Sequence, residues 1–152
     1  LRLSSNVYTG TSLASLGVAA HEAGHAIQHG VGYWPLNIRN SLVPVANFGS
    51  TLAFPLFFLG LIMSSPGMVW IGIYLFAAVV LFQLITLPVE FNASRRALAI
   101  LQGEGFITRS EVDGTKAVLD AAALTYVAAV LVGLLNLLRL LMIAGVFGRR
   151  DE

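Results

Sequence analysis

The stretch LVPVANFGSTLAFPLFFLGLIM, residues 42–63, decides the fold because none of its 22 side chains is charged. As a helix it would be about 33 Å long, which is sufficient to cross the hydrocarbon core of a bilayer. Its two prolines are expected to bend it. A second uncharged run, residues 68–87, follows a compact turn at 64–67 and ends before Pro88. We predict that the two runs form a transmembrane hairpin.

The composition of the whole chain agrees with a membrane protein. Its 152 residues are 57% hydrophobic and 11% charged, and the mean hydropathy is +0.79, whereas about a quarter of the residues in a soluble domain are charged. The net charge of +1 gives no reason to expect a nucleic-acid partner. With no cysteine, the chain has neither disulfides nor thiolate metal ligands. It opens on Leu1 without a signal peptide, so we expect the numbering to begin inside a longer protein.

The remaining sequence completes a mainly all-α prediction, a polytopic helical bundle with about three transmembrane helices. The third uncharged run is Ala121–Leu138, which could extend to Phe147. A short strand at Leu1–Leu3 could bind substrate backbone by strand addition. We treat 1–152 as one membrane-embedded domain with four regions: a metal-motif region at 1–41, the hairpin at 42–87, a polar helix and loop at 88–116, and the third membrane helix at 117–147.

Ahead of the hairpin lies His21-Glu22-Ala23-Gly24-His25, the pattern of a metallopeptidase helix. On a helix the two imidazoles share one face about 6 Å apart along the axis, where both could bind one zinc ion with Glu22 beside it as a general base. The flanking runs contain no proline or charge, and Thr11 or Ser12 could cap the helix. The alternative is a pair of histidines that make ordinary hydrogen bonds.

A catalytic zinc ion usually takes three protein ligands, so a third must lie elsewhere. His29 is about 12 Å along the axis from His21, too far to share one ion. Glu90 is the strongest candidate, because the hairpin returns it to the side of the histidines and an acidic group at the end of an apolar helix needs a cation. It could instead pair with Arg95 or Arg96, or cap a helix N-terminus.

The distribution of Lys and Arg predicts the orientation in the membrane. The hairpin places one group of cations on the side of the metal motif and leaves Arg149 and Arg150, together with Arg139, for the other side; the first group is Arg2, Arg39, Arg95, Arg96, Arg109 and Lys116. By the positive-inside rule the motif faces the cytoplasm and the turn at 64–67 faces outward. We therefore expect a multi-pass protein of the cell (inner) membrane.

Four blocks of the chain together resemble the bacterial YugP-type neutral zinc metallopeptidases. They are HEAGHAIQ at 21–28, LVPVA at 42–46, LPVEFNASRRA at 87–97 and AALTYVAA at 122–129. Members of that family usually have an upstream membrane helix. The chain is more distantly similar to the HtpX-like and CAAX-prenyl membrane peptidases, in which a Glu-aromatic-x-Ala-Asp pattern supplies the third ligand. Here Glu90, Phe91 and Ala93 match that pattern, but Ser94 replaces the Asp that would orient a ligand histidine.

These observations predict a zinc endopeptidase at a membrane face that is gluzincin-like, with Glu22 as the base and His21, His25 and Glu90 as ligands. Ser94 is a candidate partner of a ligand, and Arg95, Arg96 and Tyr126 are candidates for stabilising the transition state. The expected partners are a membrane-associated protein or peptide substrate and the lipid bilayer; the oligomeric state stays open. A site-2-type enzyme would add a later Leu-Asp-Gly motif, which this chain lacks. A non-catalytic membrane scaffold with a structural or vestigial zinc site is the alternative from another class.

Overall fold

The computed structural model describes residues 1–148, and the regular structure within that range is entirely helical. The five helices are α1 (Ser5–Tyr8), α2 (Leu13–Gly30), α3 (Trp34–Ile62), α4 (Pro66–Gly103) and α5 (Val112–Gly148). The last three are long and apolar enough to cross a membrane. The predicted all-α class and the count of three membrane helices are therefore confirmed. Arg149 and Arg150, which entered the predicted orientation, lie outside the described residues.

Two local expectations are wrong. Residues Leu1–Leu3 form no strand, and the chain enters α1 directly after them. Pro88 does not end a helix, because α4 continues through it as one element of 38 residues. A proline inside a helix costs about 3 kcal/mol, and membrane helices tolerate it where neighbours satisfy the freed backbone groups. The residues after Pro88 offset that cost, since they are buried at helical spacing as Val89, Ala93, Ala97 and Leu101.

The ends of the helices follow from local sequence. Ser12 caps α2 and accepts a hydrogen bond from the backbone N–H of Ser15 at 3.1 Å. It is one of the two residues, Thr11 and Ser12, that the sequence offered as the cap. At the other end Gly32 adopts a φ of 64°, while Gly32 N donates to His29 O and Tyr33 N donates to Gln28 O. This is a Schellman motif, in which glycine is favoured because the left-handed conformation carries no Cβ penalty. It stops α2 shortly after the histidines.

The chain divides into two compact units. One consists of Leu1–Asn37 with Thr86–Val127, and it contains α2, the second half of α4 and the start of α5. Its core is a cluster of five buried apolar residues: Ala20, Ala97, Leu101, Ile107 and Leu119. Everything that builds the candidate metal site belongs to this unit.

The other unit consists of Ile38–Ile85 together with the chain from Ala128. Its core residues come from the apolar parts of α3, α4 and α5, namely Ala53, Phe57, Val69, Ile73, Phe76, Val80, Leu140 and Ala144. The backbones approach closely at Gly72, where an added Cβ would lie 2.7 Å from the carbonyl oxygen of Ala53. Small residues at helix contacts are typical of packing in membranes.

Candidate metal centre

The histidines of α2 are presented together on one side of the helix. The ring centroids of His21 and His25 lie 4.7 Å apart, and the ring planes are nearly perpendicular at 89°. Both side chains are partly buried, with 17% and 21% of their surface exposed. The four-residue spacing produces this arrangement, because side chains at i and i+4 lie above one another on a helix.

Glu90 of α4 faces both rings. Its Oε2 atom lies 3.1 Å from Nε2 of His21 and 3.4 Å from Nε2 of His25. Only 1% of the residue is exposed. A buried carboxylate is costly unless a cation or hydrogen-bond donors compensate for it, so Glu90 requires a cation or a donor at the point where the two imidazole nitrogens face it.

The other ring nitrogen of each histidine is held by a separate side chain. Nδ1 of His21 lies 3.1 Å from Oγ of Ser94, one turn after Glu90 in α4. Nδ1 of His25 lies 2.9 Å from Oε1 of Gln28, one turn further along α2. With Nδ1 engaged in this way, Nε2 of each ring is directed toward the carboxylate. Metal-binding histidines typically show such outer partners, which fix the orientation and tautomer of the ring.

Gln28 is itself held in one orientation. It is fully buried, and its Nε2 donates to the carbonyl oxygen of Val89 at 2.8 Å and to Oδ1 of Asn92 at 3.0 Å. Because both amide protons are used by acceptors in α4, Oε1 must face His25, and Nδ1 of His25 must carry the proton. Arg96 extends the chain of contacts, since its Nε donates to the same Oδ1 of Asn92 at 2.8 Å. The guanidinium also lies 5.9 Å from the ring centre of Tyr33.

The contact between α2 and α4 depends on a glycine within the motif. An added Cβ on Gly24 would lie 2.5 Å from the carbonyl oxygen of Ala93, much closer than real Cβ atoms approach. Ala93 is completely buried. The absent side chain therefore lets the two helices pass closely enough for Glu90 to reach the histidines.

The donor set fits a zinc ion. One ligand atom from each of His21, His25 and Glu90 lies within 4.8 Å of the others. Two atoms bound to zinc at tetrahedral positions are about 3.3 Å apart, given bond lengths near 2.0–2.1 Å. The observed separations of 3.1 and 3.4 Å between the imidazole nitrogens and the carboxylate oxygen agree with this expected distance between two ligand atoms. Nitrogen and carboxylate ligands are also those that zinc takes when no thiolate is present.

Comparison with known proteins agrees with this chemistry. The family model described as "Putative neutral zinc metallopeptidase" matches residues 1–145. The chain belongs to this family. It is also similar to the "Putative membrane protease YugP" of Bacillus subtilis (strain 168), with 53% identity over 152 residues, which are all of this chain and 67% of the relative. No solved structure matches the chain.

The remaining predicted site residues of this zinc metallopeptidase family member take different positions. Glu22 is exposed on α2 beside His21. His29, which its spacing from His21 excludes as a ligand, is exposed one turn beyond His25. Arg95 is exposed on α4 and borders a small cavity. Tyr126 on α5 is 39% exposed. Arg96 donates to Asn92, which also accepts from Gln28, the partner of His25.

Sequence reasoning missed Gln28 and Asn92 as parts of the site. A signal for Gln28 was present, because it shares the 17, 20, 24, 28 face of α2 with otherwise small residues. A polar side chain on the buried face of a helix requires partners. For Asn92 the sequence carries no comparable signal, since it lies among other polar residues after Glu90.

Proposed function

We propose that this protein is a membrane-embedded, gluzincin-like zinc endopeptidase that hydrolyses peptide bonds with Glu22 as general base. The observation that carries the proposal is the convergence of Nε2 of His21 and Nε2 of His25 on Oε2 of Glu90. A family of zinc metallopeptidases and a relative named as a membrane protease support the same reaction class.

His21, His25 and Glu90 are the residues that would hold the ion, with both histidines neutral. A bound zinc ion supplies Lewis acidity toward a peptide carbonyl and lowers the pKa of water near it. Because two neutral imidazoles and one carboxylate leave one positive charge uncompensated, the ligand set preserves that acidity. Ser94 and Gln28 keep the two rings in the orientation that directs Nε2 inward.

Glu22 is the proposed proton carrier. It follows His21 directly on α2 and is exposed, so its carboxylate is accessible to water and to a substrate. It would take a proton from the attacking water molecule and deliver it to the departing amine nitrogen. Arg95 and Tyr126 are the proposed donors toward the negative charge that develops on the carbonyl oxygen.

The proposed substrates are membrane-associated or unfolded segments of protein. Three helices long and apolar enough to cross a membrane support a lipid environment. The proposed location is the cell (inner) membrane, with the site on the cytoplasmic face. That orientation derives from the positive residues that flank the predicted membrane segments.

The test is to purify the full chain and to measure zinc content and cleavage of an unfolded reporter protein. Glu22→Gln should retain zinc and lose cleavage by at least about a hundredfold, because a general base contributes about 10²–10⁴-fold. Glu90→Ala should lose both zinc and cleavage, since a third ligand is removed. Glu104→Gln, an exposed carboxylate in the loop after α4, is the matched control and should change neither quantity.

Two outcomes would contradict the proposal. Undiminished cleavage by Glu22→Gln would exclude it as the base, and full zinc occupancy in Glu90→Ala would exclude that residue as a ligand. Zinc that is bound by the original chain without any cleavage would favour the non-catalytic scaffold.

A further inference from the structure

A small cavity borders the candidate metal centre between α4 and α5. Its volume is about 80 Å³. The apolar part of its wall is formed by Phe91, Leu98 and Leu119. The lining also includes Ser94, the residue whose Oγ lies 3.1 Å from Nδ1 of His21. Ser94 therefore belongs both to the cavity wall and to the contacts that hold His21.

The position of the cavity suits a substrate side chain. Glu90, Ser94 and Leu98 are successive residues at four-residue spacing on α4, so they follow one another along the same side of the helix. Glu90 faces the histidines, Ser94 contacts His21, and Leu98 lines the cavity. Side chains of an extended peptide alternate sides at about 3.3 Å per residue. A peptide whose carbonyl lies at the histidines can thus direct a neighbouring side chain along α4 toward the cavity.

The size of the cavity limits what it can hold. A dry cavity of about 150 Å³ lined by Leu, Ile and Phe takes benzene, which has six carbon atoms. A volume of 80 Å³ therefore fits about three or four carbon atoms, the size of a Val, Leu or Ile side chain. An aromatic side chain would need the wall to move.

Two of the three charges at the cavity compensate each other. Lys116 and Asp120 line it and form an ion pair with each other one turn apart on α5. Their charges compensate, and neither is left as a strong partner for a charged group inside. Arg95 remains at the cavity as an exposed cation. It is suited to the polar backbone of a bound peptide, while the apolar wall takes the side chain.

We propose that this cavity is the subsite that selects a medium-sized aliphatic side chain next to the cleaved peptide bond. The proposal rests on the proposed peptidase function, since it assigns the substrate class of the same site. Phe91, Leu98 and Leu119 determine the accepted size, and Ser94 separates the subsite from the ligand histidine.

A second cavity in the same unit provides an internal control. It has a volume of about 190 Å³ and is lined by Leu16, Ala20 and Ala23 of α2 together with Ile100, Leu101 and Phe106. None of these residues contacts His21, His25 or Glu90 through a described hydrogen bond. Leu16 is partly buried, as is Leu98, so the same substitutions can be made at both cavities.

The experiment measures binding rather than turnover. Peptide hydroxamates with a Gly, Ala, Leu or Phe side chain next to the chelating group are titrated into the zinc-loaded Glu22→Gln full chain, with the zinc-free chain as blank. The Leu ligand should bind at least about tenfold more tightly than the Ala ligand, because methylenes in an apolar pocket each contribute 1–3 kcal/mol. The Phe ligand should bind less tightly than the Leu ligand.

Two opposite substitutions then test the assignment. Leu98→Phe should fill the cavity and reduce the preference for Leu over Ala to about twofold or less. Leu98→Ala should widen the cavity and move the preference toward Phe. A change of packing alone would weaken all ligands together and would not shift the preference in both directions. Leu16→Phe and Leu16→Ala should leave the order of affinities unchanged.

The outcomes separate this proposal from the proposed function. A Leu preference that both Leu98 variants leave unchanged, or that the Leu16 variants alter equally, overturns the subsite and leaves the peptidase intact. A preference that follows Leu98, together with no reporter cleavage by the original chain with Glu22 intact, supports a side-chain pocket beside the histidines and overturns the peptidase. Absence of zinc-dependent binding for every hydroxamate overturns both.

Discussion

At the scale of single residues, the orientation of the two imidazoles depends on which ring nitrogen of each is held by a hydrogen bond. Ser94 and Gln28 engage the two Nδ1 atoms, and this leaves Nε2 of each ring for Glu90 or for a metal ion. Neither partner is a carboxylate, so the outer partners add no negative charge to the site. The orientation of the rings therefore depends on hydrogen-bond geometry, which makes the buried amide of Gln28 a sensitive position.

Gln28→Leu should weaken zinc binding by about 10–100-fold, the usual effect of removing an outer partner of a metal-binding histidine. The leucine fills a similar volume but leaves Nδ1 of His25 without its acceptor and the carbonyl of Val89 without its side-chain donor. Competition with a fluorescent zinc chelator measures the affinity.

Gln102→Leu is the matched control for that substitution, because Gln102 is exposed in the last turn of α4. It should leave zinc affinity unchanged. Equal zinc affinities for Gln28→Leu and the original chain would mean that the amide only fills space between the helices.

At the scale of the elements, the distance between α2 and α4 is set at Gly24. Its missing side chain brings the helix within contact of the Ala93 backbone. Gly24→Ala should destabilise the protein by about 1–3 kcal/mol, as overpacking of a buried contact does, and should lower zinc affinity because Glu90 is moved away from the histidines. Thermal unfolding in detergent and chelator competition measure the two effects.

Gly30→Ala makes the same change in the same helix where nothing lies within 4 Å of the added Cβ. It should leave stability and zinc affinity close to those of the original chain. Equal losses of stability and zinc affinity in the two variants would exclude the contact with Ala93 as the cause, because replacing glycine by alanine within a helix is otherwise favourable.

The carboxyl group of Glu111, just before α5, is expected to make the stability of the fold depend on pH. Hydrogen bonds from the backbone N–H and then the hydroxyl of Thr108 to Glu111 lower the pKa of the Glu111 carboxyl below its ordinary value. A group whose pKa is lower in the folded chain stabilises the fold above its unfolded pKa, near 4.3, and this contribution is lost as pH falls. The melting temperature of Glu111→Ala should lie below that of the original chain at pH 7, and the difference should shrink by pH 3. A constant difference across that range would exclude the ionised carboxylate as its origin.

The elements also show why part of the structure could be predicted from the sequence. Charges are so rare in this chain that uncharged runs reveal the membrane helices, and His21, His25 and Glu90 stand out against an apolar background. The continuous helix through Pro88 could not be anticipated, since local proline chemistry argues against it and only the packing of Val89 and Ala93 favours it. Likewise the role of Asn92 follows from its hydrogen bond with Gln28. That bond joins α4 to α2, and the spacing of residues along the chain does not predict it.

At the scale of the whole molecule, the remaining prediction concerns membrane topology. The turn between α3 and α4 contains no Lys or Arg, whereas the stretch from Arg95 to Lys116 contains four. The positive-inside rule therefore predicts that the turn is external and that the connection between α4 and α5 is cytoplasmic. Because the chain has no cysteine, a single introduced thiol reports its own location.

Ser64→Cys should react with a membrane-impermeant maleimide in intact cells, because the turn faces outward. Ser110→Cys, which lies in the exposed connection before α5, should react only after the membrane is permeabilised. Labelling both variants in detergent first establishes that each thiol is reactive. The reverse pattern in intact cells would place Arg95, Arg96 and the histidines of α2 on the outer face, and a substrate would then have to be sought among exported proteins instead of cytoplasmic ones.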